Sequence, residues 1–517
     1  MRLWPLALIG MGIGCALGWI WGFVGEQRQD RILATYLVVG GAFALVLLWL
    51  LVLSRLTWRV RLGGLAVLAG LPLAAGLLLE RRGVTGDIVP VFGWRWSKRP
   101  ALSSPVARPT PSGPARATGA ADYPQFLGAH RDGTVPDARL SRDWTRRAPR
   151  EIWRRPVGAG WSGFAVAGSH AVTQEQRGDD EVVACYDRAT GEPVWTFAAR
   201  ARHEDPLGGL GPRATPTIAD GRVHALGATG LLHALDLVTG APLWTVDVLA
   251  DSGAPPPQYG LSGSPLVTGG LVIVLAGGGA GKSLAAYDAG TGARAWSGGD
   301  DRAAYSSPVA ATIGGIEQIV VLTQSHLAGH AAATGARLWA FPWPDGTEKV
   351  SQPVVLAPDR VFVSTGYGVG GKLVDIVARG AAQEAVLAWE SGGLKAKFTN
   401  VVHRDGYLYG LDDGRLACID VVTGARRWKG GRYGHGQTIL AGDLLLIQAE
   451  TGEVGLVEAA PEAYRELGRV RALRGKTWNH PALAGAHLVV RNDVEAACYE
   501  LPLLDAGAVP GDSTEGS

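Results

Sequence analysis

Residues Thr215–Val248 read TPTIADGRVHALGATGLLHALDLVTGAPLWTVDV. Four β-rich runs lie in this stretch: TPTIAD, RVHALGA, LLHALDL and PLWTVDV. Turn pairs separate them at Asp220-Gly221, Thr229-Gly230 and Thr239-Gly240. Tight turns need positive φ, which Gly supplies without a Cβ clash. The stretch therefore predicts four short antiparallel strands joined by hairpins. Its last hairpin carries the string Ala-x-Asp-x-x-Thr-Gly-x-x-x-Trp, from Ala234 to Trp244.

That string recurs on both sides. Thr-Gly-x-x-x-Trp occurs at Thr190–Trp195, Thr239–Trp244, Thr291–Trp296, Thr334–Trp339 and Thr423–Trp428. An Asp stands three before the Thr in four copies (Asp187, Asp236, Asp288, Asp420), and Ala331 replaces it in the fourth. The Trp-to-Trp steps are 49, 52, 43 and 89, and Trp389, in VLAWES, divides the last. Four strands repeating every 40 to 50 residues specify a β-propeller. Outer hairpins fall at 182–197, 231–248, 283–298, 327–341, 385–391, 415–430 and 453–470. An eighth unit, His487–Leu501, runs out of chain before a fourth strand, and Glu151–Pro156 (EIWRRP) is available to supply it. Mixing both termini in one blade would close the ring and leave no free sheet edge. Residues 151–502 are 352, or 44 for each of eight blades, which leaves little room for elaboration. The expected fold class is all-β: an eight-bladed β-propeller preceded by three transmembrane α-helices.

Composition agrees with this and excludes other classes. Gly is 74 of 517 residues, about twice the usual share, with no collagen period. The 49 Lys+Arg against 47 Asp+Glu give a net charge of +2, without the basic excess of a nucleic-acid binder. Hydrophobic residues at 47% rule out a disordered chain. Four Cys, with no Cys-x-x-Cys, exclude a disulfide scaffold, a zinc ribbon and a thioredoxin-like site.

The first 82 residues read as a membrane anchor. Trp4–Val24, Ile32–Leu53 and Leu62–Leu79 are uncharged runs of 21, 22 and 18 residues. Each can cross a hydrocarbon core of about 30 Å as a helix, the one open structure that satisfies its own backbone in lipid. Arg55, Arg59 and Arg61 in the second link, with Arg2 at the N-terminus, place both in the cytoplasm and everything after Leu79 outside. A cleaved signal peptide is the rival reading of the first run, and Cys15 reads as an ordinary helix residue. Residues 83–121 are expected to be a linker; Pro100–Ala121 holds five prolines and almost no bulky apolar residue. The propeller is expected over 122–502 and a disordered tail over 503–517.

Several local signals reduce to strand and turn. Ala276–Ser283, AGGGAGKS, fits a loose phosphate-loop pattern, but Leu284–Asp288 reads as a strand and no helix opens there. Arg177-Gly178-Asp179 is a loop between strands, and His326 and His330, four apart on a strand, share no helical metal face. Cys185, Cys418 and Cys498 hold the same place in separate blades, too far apart to pair. One constellation remains. Residues entering the inner strands should converge at one mouth of the central channel: Trp161, Arg213, Tyr259, Tyr305, Lys397, His435, Lys476 and Trp478. Three cations among four aromatic rings suit an anion or an aromatic ligand. No catalytic residue and no metal ligand is identified.

Over about 150–502 the repeats resemble those of the PQQ-repeat (pyrroloquinoline-quinone-like) β-propeller family. YPQFLGAHRDG at Tyr123, GPRATPTIADGRVHALGATG at Gly211, YSSP at Tyr305 and GKTWNHPAL at Gly475 also look like its bacterial members. The resemblance implies that Trp195, Trp244, Trp296, Trp339 and Trp428 dock between neighbouring blades, with Trp153 and Trp389 matching by position alone. It points first to the branch of the outer-membrane-assembly lipoprotein. That implies a non-catalytic scaffold on the periplasmic side of a bacterial inner membrane, binding a protein partner of the cell envelope. The alternative branch is the quinoprotein dehydrogenases, with PQQ and calcium as cofactors. Neither an adjacent Cys-Cys pair nor a Glu/Asn/Asp calcium set can be mapped onto this chain. A small-anion sensor is a second alternative.

Overall fold

In each repeat the hairpin acid organises its own turn. Asp187 Oδ1 accepts from the backbone N–H of Ala189 (3.0 Å) and Thr190 (2.8 Å) and from Thr190 Oγ1 (2.9 Å). Asp236, Asp288 and Asp420 repeat the pattern. These bonds hold the Asp288 and Asp420 carboxyls below their ordinary range. In the computed structural model, which describes residues 4–25, 27–97, 119, 121–356, 358–380 and 382–504, the turns join the third and fourth strands of successive four-stranded sheets.

Eight blades follow, over 165–200, 217–247, 266–298, 309–342, 354–391, 402–430, 437–471 and 482–500. The second and third strands are buried almost throughout, as in His170–Arg177 and Asp180–Asp187, because neighbouring blades cover both faces. Outer strands such as Pro242–Asp247 are largely exposed. The last blade borrows its fourth strand from the start of the domain. Strand Arg150–Pro156 pairs with Glu495–Glu500, with Cys498 opposite Trp153. Cys185 and Cys418 oppose Trp195 and Trp428 in the same way.

The indoles bridge blade to blade. Nε1 of Trp153, Trp195, Trp244, Trp296, Trp389 and Trp428 donates to Arg188 O, Leu237 O, Ala289 O, Ala332 O, Val421 O and Ala460 O of the next blade, at 2.8 to 3.1 Å. The Gly of the receiving Thr-Gly is required twice over. Gly240 has φ +70°, and a Cβ there would lie 2.5 Å from the Trp195 ring. Trp339 departs from the motif-based expectation. Its Nε1 donates instead to Gln318 Oε1 in its own blade (2.7 Å). The reason lies in blade five, whose outer hairpin is longer than the expected 385–391. Strands Gly370–Arg379 and Ala382–Ser391 run ten residues each, with no Thr-Gly turn to receive an indole. Gln318 bonds Gln383 of blade five instead (2.7 Å).

Two elaborations exceed the expected room: a small hairpin, Glu204–Asp205 with Gly209–Leu210, and a short helix, Val248–Ser252. The glycine-rich AGGGAGKS is strand, turn and strand: Leu271–Gly278 takes in its first three residues and Lys282–Asp288 starts at its Lys, two residues earlier than the expected strand at Leu284.

Residues 123–135 thread the inner strands of the ring. Tyr123 bridges Val166, and Ile218 N–H donates to Pro124 O (2.8 Å). Thr134–Val135 pairs in parallel with Gln437–Ala441. The buried Arg131 donates to Pro308 O (2.8 Å), Pro265 O (3.1 Å), Ser264 O (2.5 Å) and Gln125 Oε1 (3.0 Å), and Gln352 Nε2 donates to Arg131 O. Burial alone pulls that guanidinium down to about 9. The His480 ring stacks on Tyr123 at 6.2 Å. This segment thus touches the inner strands or strand entries of seven blades and runs along the inner side of the ring.

The helical unit comprises α1 (Trp4–Phe23), α2 (Arg28–Leu48, extended by a π turn over Trp49–Leu53) and α3 (Trp58–Leu78). All three are long and apolar enough to cross a membrane. A hairpin of β1 (Leu79–Val84) and β2 (Pro90–Trp94) follows at once, so residues 83–94 are ordered strand and turn where a linker was expected. The rest of that linker, apart from 95–97, 119 and 121, and the tail beyond 504 lie outside the described residues.

Candidate functional site

Each blade's fourth strand hands the chain to the next blade's first strand, so eight linkers meet at one mouth. At the strand entries a collar of polar side chains ties linker to linker. Gly163 N–H donates to Thr215 Oγ1 (3.0 Å), Thr215 N–H to Ser264 Oγ (2.9 Å) and Ser264 N–H to Ser307 Oγ (2.9 Å). Gln352 N–H donates to Asn400 Oδ1 (3.0 Å), and Asn479 Nδ2 donates to Ser162 O (2.8 Å). The Thr-Pro and Ser-Pro entries therefore carry inter-blade bonds as well as placing Pro where no ladder donor is needed.

Above this collar the structure brings five of the eight sequence-predicted residues into one run of contacts. Trp161 and Trp478 lie 4.9 Å apart by centroid, and Lys476 Nζ sits 4.6 Å and 4.0 Å from their rings. Phe398 continues the run, 5.4 Å from Trp478 and 5.2 Å from His435. Lys397 Nζ lies 5.4 Å from Phe398 and 4.8 Å from Tyr367. The other three form a second group. Arg213 Nη1 donates to Tyr259 O (2.8 Å) with its guanidinium 5.9 Å from the Tyr259 ring, and Tyr259 meets Tyr305 edge-on at 5.3 Å. Gly209 lies between the groups, accepting from Arg213 Nη2 (3.4 Å), and a Cβ on it would lie 3.6 Å from the Trp161 ring.

The sequence reading missed Phe398, Tyr367, Glu348, Asp205 and Glu450. Phe398 directly follows Lys397, so the pattern Lys-x-Lys-Phe was the available signal. Tyr367 adopts φ +57° in a turn between strands, a position no periodicity marks. The acids change the electrostatics. Glu450 Oε1 accepts from Trp478 Nε1 (2.8 Å), Gln258 donates to Asp205 (3.3 Å), and Glu348 bonds Tyr367. Three carboxylates thus stand among the three cations. Burial pulls Arg213 down to about 10, against the pull of Asp205, and pushes Tyr259 up to about 12. The mouth can stack flat rings, present cations over π faces and accept hydrogen bonds. It is not a purely cationic anion trap.

The outlying histidines and cysteines are structural. His330 Nδ1 contacts Gly335 O at 2.9 Å, His326 contacts Asp301 at 3.3 Å, and Cys185, Cys418 and Cys498 are buried thiols. Burial pushes Cys418 and Cys498 up to about 12, away from nucleophilic use.

A family profile described as "Outer membrane protein assembly factor BamB" matches residues 142–254 and 179–430. Among curated protein sequences nothing matches. Among solved structures, BamB from Moraxella catarrhalis is 16% identical, covering 68% of this chain and 98% of that one, at TM-score 0.51. The quinohemoprotein alcohol dehydrogenase ADHIIG from Pseudomonas putida HK5 is 13% identical, covering 76% and 82%, also at 0.51. The computationally designed Ika8 protein is 12% identical, covering 68% and 100%, at 0.50. At these identities the likeness is one of fold.

The quinone and calcium of the dehydrogenase branch require an oxygen cage with a carboxylate base. Among the described residues no three His, Cys, Asp or Glu gather to hold a metal. The acids at the mouth are engaged with Trp478, Gln258 and Tyr367.

Proposed function

The chain belongs to the PQQ-repeat β-propeller family, and from that premise we propose that it is a non-catalytic scaffold, tethered to the bacterial inner membrane by α1–α3. Its propeller stands on the periplasmic side and presents its ring surface to a protein partner in envelope assembly. One observation carries this reading: the eight-bladed frame is complete and closed by the strand Arg150–Pro156, and among the described residues no three His, Cys, Asp or Glu gather to hold a metal. The indole-to-carbonyl bonds support reading Trp153, Trp195, Trp244, Trp296, Trp389 and Trp428 as the family's docking residues. Three helices of membrane-crossing length support the tether.

Purified full-length chain, incubated with PQQ and Ca²⁺, is expected to reduce no artificial electron-acceptor dye with alcohols or aldoses. Calcium-dependent turnover would overturn the scaffold reading in favour of a quinoprotein dehydrogenase. The stacked rings and cations at the mouth favour a second use, in which a small aromatic or anionic ligand is sensed there. A ligand bound only by the native state raises the melting temperature. Lys476→Ala would abolish that shift, and no shift across an anion and aromatic panel removes this second use.

A further inference from the structure

The β1–β2 hairpin belongs to the helical unit and follows α3 without a spacer: Leu78 ends the helix and Leu79 opens the strand. The uncharged part of α3, from Leu62, past Arg59 and Arg61, to Leu78, rises about 26 Å at about 1.5 Å per residue. That is close to the roughly 30 Å hydrocarbon core of a bilayer. On the reading that α1–α3 span the membrane, the hairpin begins where the core ends.

Its register sorts its side chains onto two faces. Leu79 opposes Trp94 and Arg81 opposes Phe92, whereas Glu80 opposes Gly93. Side chains alternate across a pleat, so one face carries Leu79, Arg81, Phe92 and Trp94. Trp96 extends it, stacked on Trp94 at 5.0 Å. The opposite face is charged: Arg82 Nε meets Glu80 at 3.1 Å, and Arg82 Nη2 donates to Trp94 O (3.1 Å) and Ser97 O (2.8 Å). Phe92, Trp94 and Trp96 are 59%, 51% and 63% exposed. Two strands alone do not stabilise themselves in water, and three bare rings on such a ribbon make the burden heavier. Tryptophan is enriched at the membrane–water interface, where an apolar body and a polar N–H are both satisfied. The hairpin tip is also tied down. Asp87 pairs with Arg28 in the first turn of α2 at 3.3 Å, and the OH of Tyr36, in its third turn, donates to Ile88 O (3.2 Å).

We propose that β1–β2 is an interfacial clasp. Its aromatic face beds into the headgroup–acyl boundary of a phospholipid bilayer and fixes the level at which the chain leaves the membrane. The proposal rests on the membrane-anchor reading of α1–α3, and the test separates the two. Full-length chain carrying Cys15→Ser, its other three cysteines being buried, is placed in phosphatidylcholine nanodiscs. Nitroxide labels are introduced singly at Phe92→Cys, at Glu80→Cys on the charged face and at Leu71→Cys in mid-α3. Collision rates with lipid-soluble oxygen and a water-soluble nickel chelate are then measured. The clasp requires an oxygen-to-nickel ratio at 92 several-fold above that at 80, and below that at 71. Equal ratios at 92 and 80, with 71 still lipid-exposed, overturn the clasp and leave the anchor standing. A label at 92 shielded from both reagents means that protein covers the face, which also overturns it. A nickel-accessible label at 71 removes the anchor and the clasp together.

Discussion

Arg131 is a buried cation held without a carboxylate, by three backbone carbonyls and one amide oxygen. Charge-assisted bonds are the stronger class, and removing the donor strands every acceptor in a dry site. Arg131→Met is therefore expected to destabilise the propeller by roughly 3–5 kcal/mol. Arg146→Met, on an exposed side chain, leaves the thermal midpoint unchanged. Equal midpoints for both variants in calorimetry would refute the claim that this residue ties the threaded segment to blades three and four. Three buried histidines set the pH response. Burial draws His224, His233 and His480 down to about 4. Their unfolded value is about 6.5, so between pH 6.5 and 4 the unfolded chain takes up protons that the folded one refuses. Stability then falls as pH falls through that window, by up to roughly 3 kcal/mol per histidine. Glu466, held down to about 2 by its bonds to Arg469, Tyr433 and Tyr464 despite partial burial, adds a further loss below about 4.5. Urea midpoints measured from pH 7.5 to 4 should begin to drop near 6.5. A plateau extending to pH 4.5 would show that the histidines are not held neutral.

At the scale of the element, the Thr-Gly turn and the indole of the preceding blade form one unit. Gly178 and Gly240 both have positive φ, but nothing lies within 4 Å of a Cβ at Gly178, whereas at Gly240 it would meet the Trp195 ring. Gly178→Ala thus carries only the backbone penalty, about 1 kcal/mol. Gly240→Ala adds displacement of a buried indole and is expected to cost about 3 kcal/mol or more. Denaturant unfolding of the two variants separates these contributions, and equal losses would show that the docked ring yields freely. The same coupling explains what sequence could and could not show. The Asp-x-x-Thr-Gly turn is a local device with its own hydrogen bonds, so its four copies, with the fifth Thr-Gly at Thr334 that lacks the Asp, stood out and located most blades. Trp153 and Trp389 lacked the full motif yet bond the next blade like the others, because the receiving turns at Gly191 and Gly424 supply the seat. Trp339 kept the Thr-Gly-x-x-x-Trp string and turned inward, because the next blade, blade five, has no Thr-Gly turn to receive it. A docking residue is legible in sequence only when its receiver is read with it. At the mouth, the residues found were those in register at strand entries. Tyr367 and the three acids were missed because they reach the site from turns, a linker and the inserted strand Glu204–Asp205, none of which follows the repeat period.

Over the whole molecule, closure and threading are separable. Strand β4 (Arg150–Pro156), which follows the short strand β3 (Thr134–Val135), completes blade eight. The segment 123–135 lines the channel without supplying a fourth strand to any blade. Sequence revealed the first, since an eighth repeat one strand short demands a donor. It could not reveal the second: Arg131 bonds carbonyls 133 to 177 residues away, and no pattern within Tyr123–Val135 records them. Three truncated chains ending at Leu504 test the distinction. One starting at Asp122 keeps both devices and should be monomeric with a single sharp melt. One starting at Pro136 keeps β4 but loses Arg131 and its bonds, so it should remain monomeric and melt lower. One starting at Gly158 bares the edge of Glu495–Glu500, beside the buried Ala496, Ala497 and Cys498. An unpaired edge next to an opened core invites pairing with another chain, so this form should aggregate in size-exclusion chromatography. A Gly158 chain that ran as a monomer with the Asp122 melting point would mean that the eight blades hold together through the indoles alone, without a closed ring.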